Sequence, residues 1–513
     1  MSKQFITDII KEEYKKWLKD NIVLIEAGTG CGKSYFIKNE LNTYCMSTGQ
    51  NILYLTNRDT LKEQVKNDIG NFTNITIKNY QKIESFMLNG TLKLDNYDYV
   101  VCDEAHYFFT DASFSRTTDL FLTELLKDDT VCKIFMTATP WLLKLYIEKE
   151  KFKIDYDYIL RTDYSYLNKI VAFNTYETID SIIEEIPQDE QIIFFSSAKK
   201  ALEISKKYNG TFICSKRNKD GLWNKYIESK KEKNEKGEEV IIETENYKEI
   251  QSIIQNGTFK NHILCTTTAL DNGVNIKENT PVKHIIIDIL DRDEFIQCLG
   301  RKRVSEGEKI NLYFYGWKND GRRINGFKKK IGDSINKANL LFNEGEEIYV
   351  NTKFKNDRFT DGRIIDDVTI NGELHKRVNK CVYLKYKNDL TLYDSLVGKN
   401  YKLNFKSIIA TNLKIKSDNI IEWETKDISQ TFEEFLDSIV GIKMFKEEQK
   451  ILKERFGEYG LKARSLGINT LNGYIKDKKL PFIIKTDERK SYRDDNGKVK
   501  KEKSHWILGK IIF

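Results

Sequence analysis

The sequence predicts an α/β protein in which two parallel-sheet domains stand in tandem and an α+β region closes the chain. Three observations carry this expectation. A chain of 513 residues exceeds what one hydrophobic core holds, and domains of roughly 100–200 residues predict about three units. From residue 22 to about residue 315, short runs rich in Val, Ile and Phe alternate with longer amphipathic stretches, the pattern of strands covered by helices on both faces. Beyond residue 330 that rhythm stops.

Taken in order, the expected strands of the first domain are IVLIEA, NILYLT, YDYVVCDE and CKIFMTAT, and those of the second are KIVAFNT, QIIFFSS, HILCTTTA, KHIIIDIL and INLYFY. One series ends after Pro140 and the next begins before Pro187, which places the domains at 1–165 and 166–330 and leaves 331–513 as an accessory region. Residues 215–250 are dense in charge and read as an exposed insertion. In the third region EIYVNTKF, KCVYLKYKN and NYKLNFKSIIATNLKI read as strand-like, and TFEEFLDSIVGIKMFKEEQKILKERF reads as helical.

Residues 460–480 have the rhythm of a helix-turn-helix broken at Gly467, with Asn469–Lys478 as the second helix. The segments FIIKTDERKSYR and KEKSHWILGKIIF flank DDNGK, a hairpin signal. Residues 457–513 are therefore expected either to form a winged-helix-like unit with a basic ribbon or to pack as a small domain. In the first case Lys476, Lys478, Lys479, Arg489, Arg493, Lys498, Lys500 and Lys501 would meet phosphates.

Composition narrows the class. Hydrophobic residues at 40% and charged residues at 31% describe a soluble globular protein rather than a disordered one. No stretch gives about 18 uninterrupted apolar residues and the N-terminus lacks an apolar signal core, so no membrane span and a cytoplasmic location are expected. The eight cysteines form no C-x-x-C pair and read as buried thiols, not as a zinc or disulfide framework. A net charge of +7, from 84 basic and 77 acidic residues, points weakly to a polyanionic partner.

The strongest local signal is Ala27-Gly28-Thr29-Gly30-Cys31-Gly32-Lys33-Ser34, between the strand IVLIE and the helical pattern SYFIKNELNTYC. Small residues there let backbone N–H groups close around phosphates, Lys33 brings a point charge to the outer phosphates, and the Ser34 hydroxyl can ligate Mg²⁺. About seventy residues on, YDYVVC runs into Asp103-Glu104-Ala105-His106. Carboxylates at the carboxyl end of a parallel strand lie on the ligand edge of the sheet. Asp103 can hold Mg²⁺ through its water shell and Glu104 can polarise an attacking water.

With these two motifs in order, the chain resembles a superfamily 2 helicase of the DEAD/DEAH type. Leu55-Thr56-Asn57-Arg58-Asp59-Thr60-Leu61 resembles motif Ia, Thr137-Ala138-Thr139-Pro140 motif III, and Ile193-Phe194-Phe195-Ser196-Ser197 motif IV. Thr267-Thr268-Ala269-Leu270-Asp271-Asn272-Gly273-Val274-Asn275 resembles motif V, and Gln297-Cys298-Leu299-Gly300-Arg301-Lys302-Arg303 motif VI. The resemblance implies two RecA-like domains with ATP and Mg²⁺ in the cleft between them. It places Gly273 and Asn275 near the γ-phosphate and Gln297, Arg301 and Arg303 across the cleft, with His106, Thr137 and Thr139 coupling the site to nucleic acid. Arg58, Asn79 within Lys78-Asn79-Tyr80-Gln81, and Thr267 are the implied nucleic-acid contacts.

Motif VI departs from the common G-R-x-x-R form, because Val304 stands where the second arginine is usual. Arg301 and Arg303 are both candidates for the arginine finger, and Lys302 reads equally as a solvated basic turn. Trp141 could stack on a base or belong to core or interface. The expected function is an ATP-dependent helicase or translocase, with DNA favoured over RNA. A nucleotide-gated binding or assembly switch, or the motor subunit of a phage-related or defence complex with a partner nuclease, are the alternatives.

Overall fold

The computed structural model of the chain describes residues 4–57, 72–112, 115–216, 218–227, 230–233, 239–242, 244–268, 275–318, 320–352, 364–370, 373–397, 404–423, 428–461, 463, 465–486, 491–493, 499–501 and 504–511. Two compact units divide it, Met1–Glu422 and Trp423–Phe513.

In the larger unit, strands β1 (Ile22–Ala27), β2 (Ile52–Thr56), β3 (Ile75–Asn79), β4 (Tyr99–Asp103), β5 (Cys132–Thr137) and β6 (Tyr156–Leu160) form one sheet in the order β3-β2-β4-β5-β1-β6. Every neighbouring pair is parallel. A second sheet takes β7 (Leu167–Phe173), β8 (Gln191–Phe195), β9 (Thr211–Ile213), β12 (Ile263–Thr266), β13 (Val282–Ile287) and β14 (Ile310–Tyr315), joined at its edge by β17 (Ile421–Glu422). It too is parallel throughout. The continuous apolar runs are what such a sheet demands, since helices bury both of its faces; all residues of β2 and β8 are buried.

One face of the first sheet packs on Ile6, Ile10, Tyr14 and Trp17 and on Phe36 and Leu41. The other face carries Phe108, Phe121, Leu125, Phe135 and Leu142, and this core continues into Ile335, Ala338, Cys381, Val382 and Leu384. Residues from Ile335 to Leu384 therefore share the core of the first sheet, Phe405 and β17 lie with the second, and only Trp423–Phe513 stand as a separate unit.

Here the structure corrects the strand-like readings. EIYVNT belongs to the helical span Gly321–Thr352, interrupted at Gly345 where φ is +83°. KCVYLKYKN opens the helix Lys380–Val397, and NFKSIIATNL is the helix Phe405–Leu413. Their β-branched and aromatic residues suggested strands, but caps and core contacts decide otherwise: Asn379 Oδ1 accepts from Val382 N at 3.1 Å, and Asn404 and Ser407 form a capping box. The described strands between residues 331 and 420 are β15 (Ile365–Ile370) and β16 (Glu373–Val378), an antiparallel pair. The 215–250 insertion also holds more core than its charge suggested. Leu222, Trp223 and Ile227 are buried, and the helix Glu245–Asn256 buries Ile250 and Ile253; β10 (Lys230–Lys233) and β11 (Glu239–Ile242) pair antiparallel.

In the smaller unit the stretch read as one helix is two, Ile428–Ser438 and Lys446–Glu458, separated around Gly441 at φ +77°. Of the helix-turn-helix, the second helix is present as Ile468–Asp477, whereas the described residues from 461 to 467 are not helical. Strands β18 (Phe482–Thr486) and β21 (Trp506–Lys510) pair antiparallel, as do β19 (Ser491–Arg493) and β20 (Val499–Lys501). The core of this unit joins Phe432, Leu436 and Phe456 to Leu471, Phe482 and Leu508.

Candidate functional site

The Gly-rich loop follows β1 directly and the next helix begins at Lys33. Gly30 and Gly32 adopt φ of +76° and +84°, which glycine alone takes without cost. A side chain at Gly28 would fall 2.5 Å from Thr162 Oγ1, and one at Gly30 would fall 3.0 Å from Arg303 Nη1. The loop is thus a close cradle in which a Cβ at either position would push against Thr162 or Arg303. Lys33, 8% exposed, folds over it and donates to the carbonyls of Ala27 at 2.8 Å and Gly28 at 3.0 Å.

Asp103 ends β4, which lies two strands from β1 with β5 between them. Its carboxylate accepts from Tyr54 Oη at 2.7 Å and from Glu104 N at 3.0 Å, while its carbonyl accepts from Tyr80 Oη at 2.8 Å. The Tyr54 hydroxyl also meets Ser34, so one buried phenol joins the two side chains suited to a metal ion. Burial and the neighbouring Glu104 charge push the Asp103 pKa up to about 6, against Lys33 and the Tyr54 hydroxyl. For Glu104 burial acts upward, but Lys33, His106, Arg301 and Arg303 outweigh it and hold the pKa below its ordinary value. Glu104 has φ +49°, a left-handed conformation that costs a non-glycine residue of order 1–3 kcal/mol and concentrates at working sites. His106 Nδ1 lies 3.4 Å from Glu104 Oε2.

The arginine loop comes from the second sheet's domain. Helix Arg292–Leu299 carries Gln297 and runs into Gly300, whose carbonyl accepts from Thr29 Oγ1 at 3.0 Å. Arg301 and Arg303 both act on Glu104 electrostatically, and Arg303 also lies against Gly30. Lys302 is no solvated turn. Its ammonium is buried, pairs with Glu308 at 2.7 Å and donates to the carbonyls of Lys277 at 2.9 Å and Arg303 at 2.7 Å, fixing the loop from behind. Ile276 locks the same loop, donating to Arg301 O and accepting from Arg303 N. The buried Gln297 Nε2 and Arg303 Nη1 make no hydrogen bond; buried polar atoms are usually paired, and unpaired donors suit a phosphate. Asn275 Oδ1, an acceptor, is likewise buried without a hydrogen bond.

Thr137 ends β5 and Thr139 follows it, both buried, and Thr139 N donates to Thr137 Oγ1 at 3.1 Å. Trp141 spans the two domains: its indole N–H donates to Asp293 at 3.1 Å and Arg292 covers its ring at 4.7 Å. Of the expected nucleic-acid contacts, Asn79 ends the edge strand β3. Tyr80 beside it is buried in the Asp103 network. Thr267 lies in the wall of a cavity of about 440 Å³ with Ser196, Ser197, Thr268, Asp288 and Arg323. Arg58, Gly273, Arg489 and Lys498 lie outside the described residues. Tyr54 and Thr162 were not singled out from the sequence, and Tyr80, expected with Asn79 as a phosphate contact, is instead held against the Asp103 carbonyl.

No group of three or more His, Cys, Asp or Glu suited to a metal occurs among the described residues, and none is required where one carboxylate, one hydroxyl and substrate phosphates share the ion. None of the eight cysteines, all among the described residues, forms a disulfide, and seven of them are buried. No described helix is long and apolar enough to cross a membrane.

A glycine cradle after β1, an acidic pair after β4 and an arginine loop from a second parallel sheet define a two-domain P-loop nucleotide-binding protein. The sequence profile of the DEAD/DEAH box helicases, a family of ATP-hydrolysing enzymes, matches residues 35–144. Among solved structures the chain is similar to S. cerevisiae Dbp5 bound to RNA and ADP BeF3, with a TM-score of 0.40 and 13% identity over 57% of this chain and 78% of that one. A single-substitution variant of the same protein, also with RNA and ADP BeF3, gives 0.41 and 15% over the same shares. No curated protein matches the chain.

Proposed function

We propose that the protein is an ATP-driven helicase or translocase that acts on nucleic acid and hydrolyses ATP between the two sheets. The observation that carries this reading is Arg303, whose buried Nη1 makes no hydrogen bond and lies against Gly30 of the phosphate loop. A cation from the opposite domain at that point stabilises charge developing on a transferred phosphoryl group, and only while the domains are together. Of the two candidate fingers, Arg303 is the one we assign.

The remaining roles follow from position. Gly28 to Gly32 offer backbone N–H groups to the phosphates, and Lys33 exchanges its carbonyl partners for them. Ser34 and Asp103, held in register by Tyr54, are the residues that would hold Mg²⁺. The ion, when bound, neutralises phosphate charge. Glu104, ionised and oriented by His106, takes the proton of the attacking water. Gln297 and Asn275 would close on the nucleotide, and Thr137 and Thr139 would relay its state toward Asn79 and Thr267. Closure and reopening would then move the grip along a strand, one cycle at a time, against base-pair stacking of about 1.4 kcal/mol per step.

DNA is the substrate the sequence reading favours and RNA the alternative, since contacts to the 2′-hydroxyl decide between them. The test is steady-state ATP hydrolysis with and without single-stranded DNA or RNA. Strong stimulation by one of them is expected. A flat response to both would favour a nucleotide-gated switch over a motor.

A further inference from the structure

We propose that the helix Lys380–Val397 is a latch between the two sheets, and that Lys385 is a positioning residue that seats the arginine loop for turnover. It rests on the assignment of the nucleotide site above and gives residues beyond 330 a part in it.

The first turn of this helix is fastened to the first sheet's domain. Arg377, just before it, donates from Nη1 to both oxygens of the buried Asp119 at 3.0 and 2.9 Å, and its Nη2 donates to the carbonyl of Arg116, charge-assisted contacts that are among the stronger hydrogen bonds. Lys380 N donates to the same carboxylate at 2.9 Å, and its ammonium meets both oxygens of Glu150 at 2.8 and 2.9 Å. Cys381, Val382 and Leu384 enter the core that holds Phe109 and Tyr146.

One residue on, the helix reaches the other domain. Lys385, 16% exposed, forms an ion pair with Asp291 and lies 3.2 Å from Asp389. Asp291 is the N-cap of helix Arg292–Leu299, accepting from Asp293 N at 2.9 Å and Glu294 N at 3.0 Å through its other oxygen. That helix ends at the loop bearing Arg301 and Arg303. A rigid line therefore runs from Asp119 through Lys385 and Asp291 to the arginines. The adjacent bond from Trp141 to Asp293 at 3.1 Å ties the same helix start to the first sheet's domain. Fixing the start of a short helix fixes its end, and displacement of a reacting group by about 1 Å can cost about 10²-fold in rate.

The test compares Lys385→Met, which keeps the stem and drops the charge, with Asp291→Asn, which still caps a helix but loses the ion pair. Binding of an ATP analogue, single-turnover hydrolysis, and hydrogen–deuterium exchange of residues 27–35 and 296–303 are measured in the full chain. Both variants are expected to bind the analogue as the wild type does, to hydrolyse about 10²-fold more slowly, and to exchange faster in both segments. Lys385→Arg should restore much of the loss. Unchanged exchange in both segments would overturn the latch, whatever happens to turnover; faster exchange with unchanged hydrolysis would make Lys385 merely structural and overturn its positioning role. A wild type without hydrolysis would instead overturn the functional reading and leave the exchange arm to decide the latch.

Discussion

The two sheets of the larger unit have the same construction and opposite chemistry. Each is a parallel array of Val-, Ile- and Phe-rich strands buried on both faces. In the first, strands end in a phosphate cradle and an acidic pair. In the second, β8 ends in Ser196 and Ser197, with Ser197 capping the following helix, and the domain's contribution to the cleft is cationic, from the loop after helix Arg292–Leu299. The contrast separates what the scaffold determines, which is where strand ends lie, from what residues at those ends determine, which is charge. On the function proposed above, the acid–base pair and the cation that meet one phosphoryl group are placed on different bodies, so that closure would switch the site on.

The sharpest way to break this comparison is to remove the second domain's cation. Arg303→Ala is expected to slow single-turnover ATP hydrolysis by about 10³–10⁵ while leaving binding of an ATP analogue close to wild type. Arg301→Ala should fall short of that; the reverse order would reassign the finger. Next comes the first domain's base. Glu104→Gln should keep nucleotide binding and lose about 10²–10⁴ in turnover by the same assay, and normal turnover would remove Glu104 from the chemistry.

A smaller effect is expected behind the first sheet's carboxylate. Tyr54→Phe deletes the hydroxyl that joins Asp103 to Ser34 and should raise the Mg²⁺ concentration for half-maximal hydrolysis by about tenfold. An unchanged Mg²⁺ titration would make the bond incidental. The smallest effect concerns Trp423–Phe513. Removing the whole unit should leave basal hydrolysis intact and flatten the salt dependence of nucleic-acid affinity, by about 0.7 in slope for each lost contact with a single strand. Cutting at 457 instead would divide a core shared by Phe432, Phe456, Leu471 and Leu508 and should leave a remnant that unfolds cooperatively no longer.

The parts legible in the sequence are those whose meaning is local. The cradle is readable because glycine and Lys33 sit in fixed register between a strand and a helix, and the acidic pair because it terminates an apolar run. Tyr54 was hidden for the opposite reason: within ILYLT it is one more large buried residue, and the single oxygen that matters changes neither hydropathy nor period. Lys302 misled in the other direction, since a basic residue between two arginines looks solvated until Glu308 and two carbonyls enclose it. Beyond residue 330, Val382, Tyr383 and Tyr386 suggested strands, but the caps at Asn379 and Asn404 are short polar signals that outweigh them. That Cys381 and Leu384 join the core of the first sheet is a long-range fact with no trace in the local pattern.

The central claim is that one nucleotide is held by both domains at once. Hydrogen–deuterium exchange of the wild-type chain with and without a non-hydrolysable ATP analogue tests it most directly. Protection is predicted together in the phosphate loop, residues 27–35, and in the arginine loop, residues 296–303; protection confined to the phosphate loop would contradict a shared site.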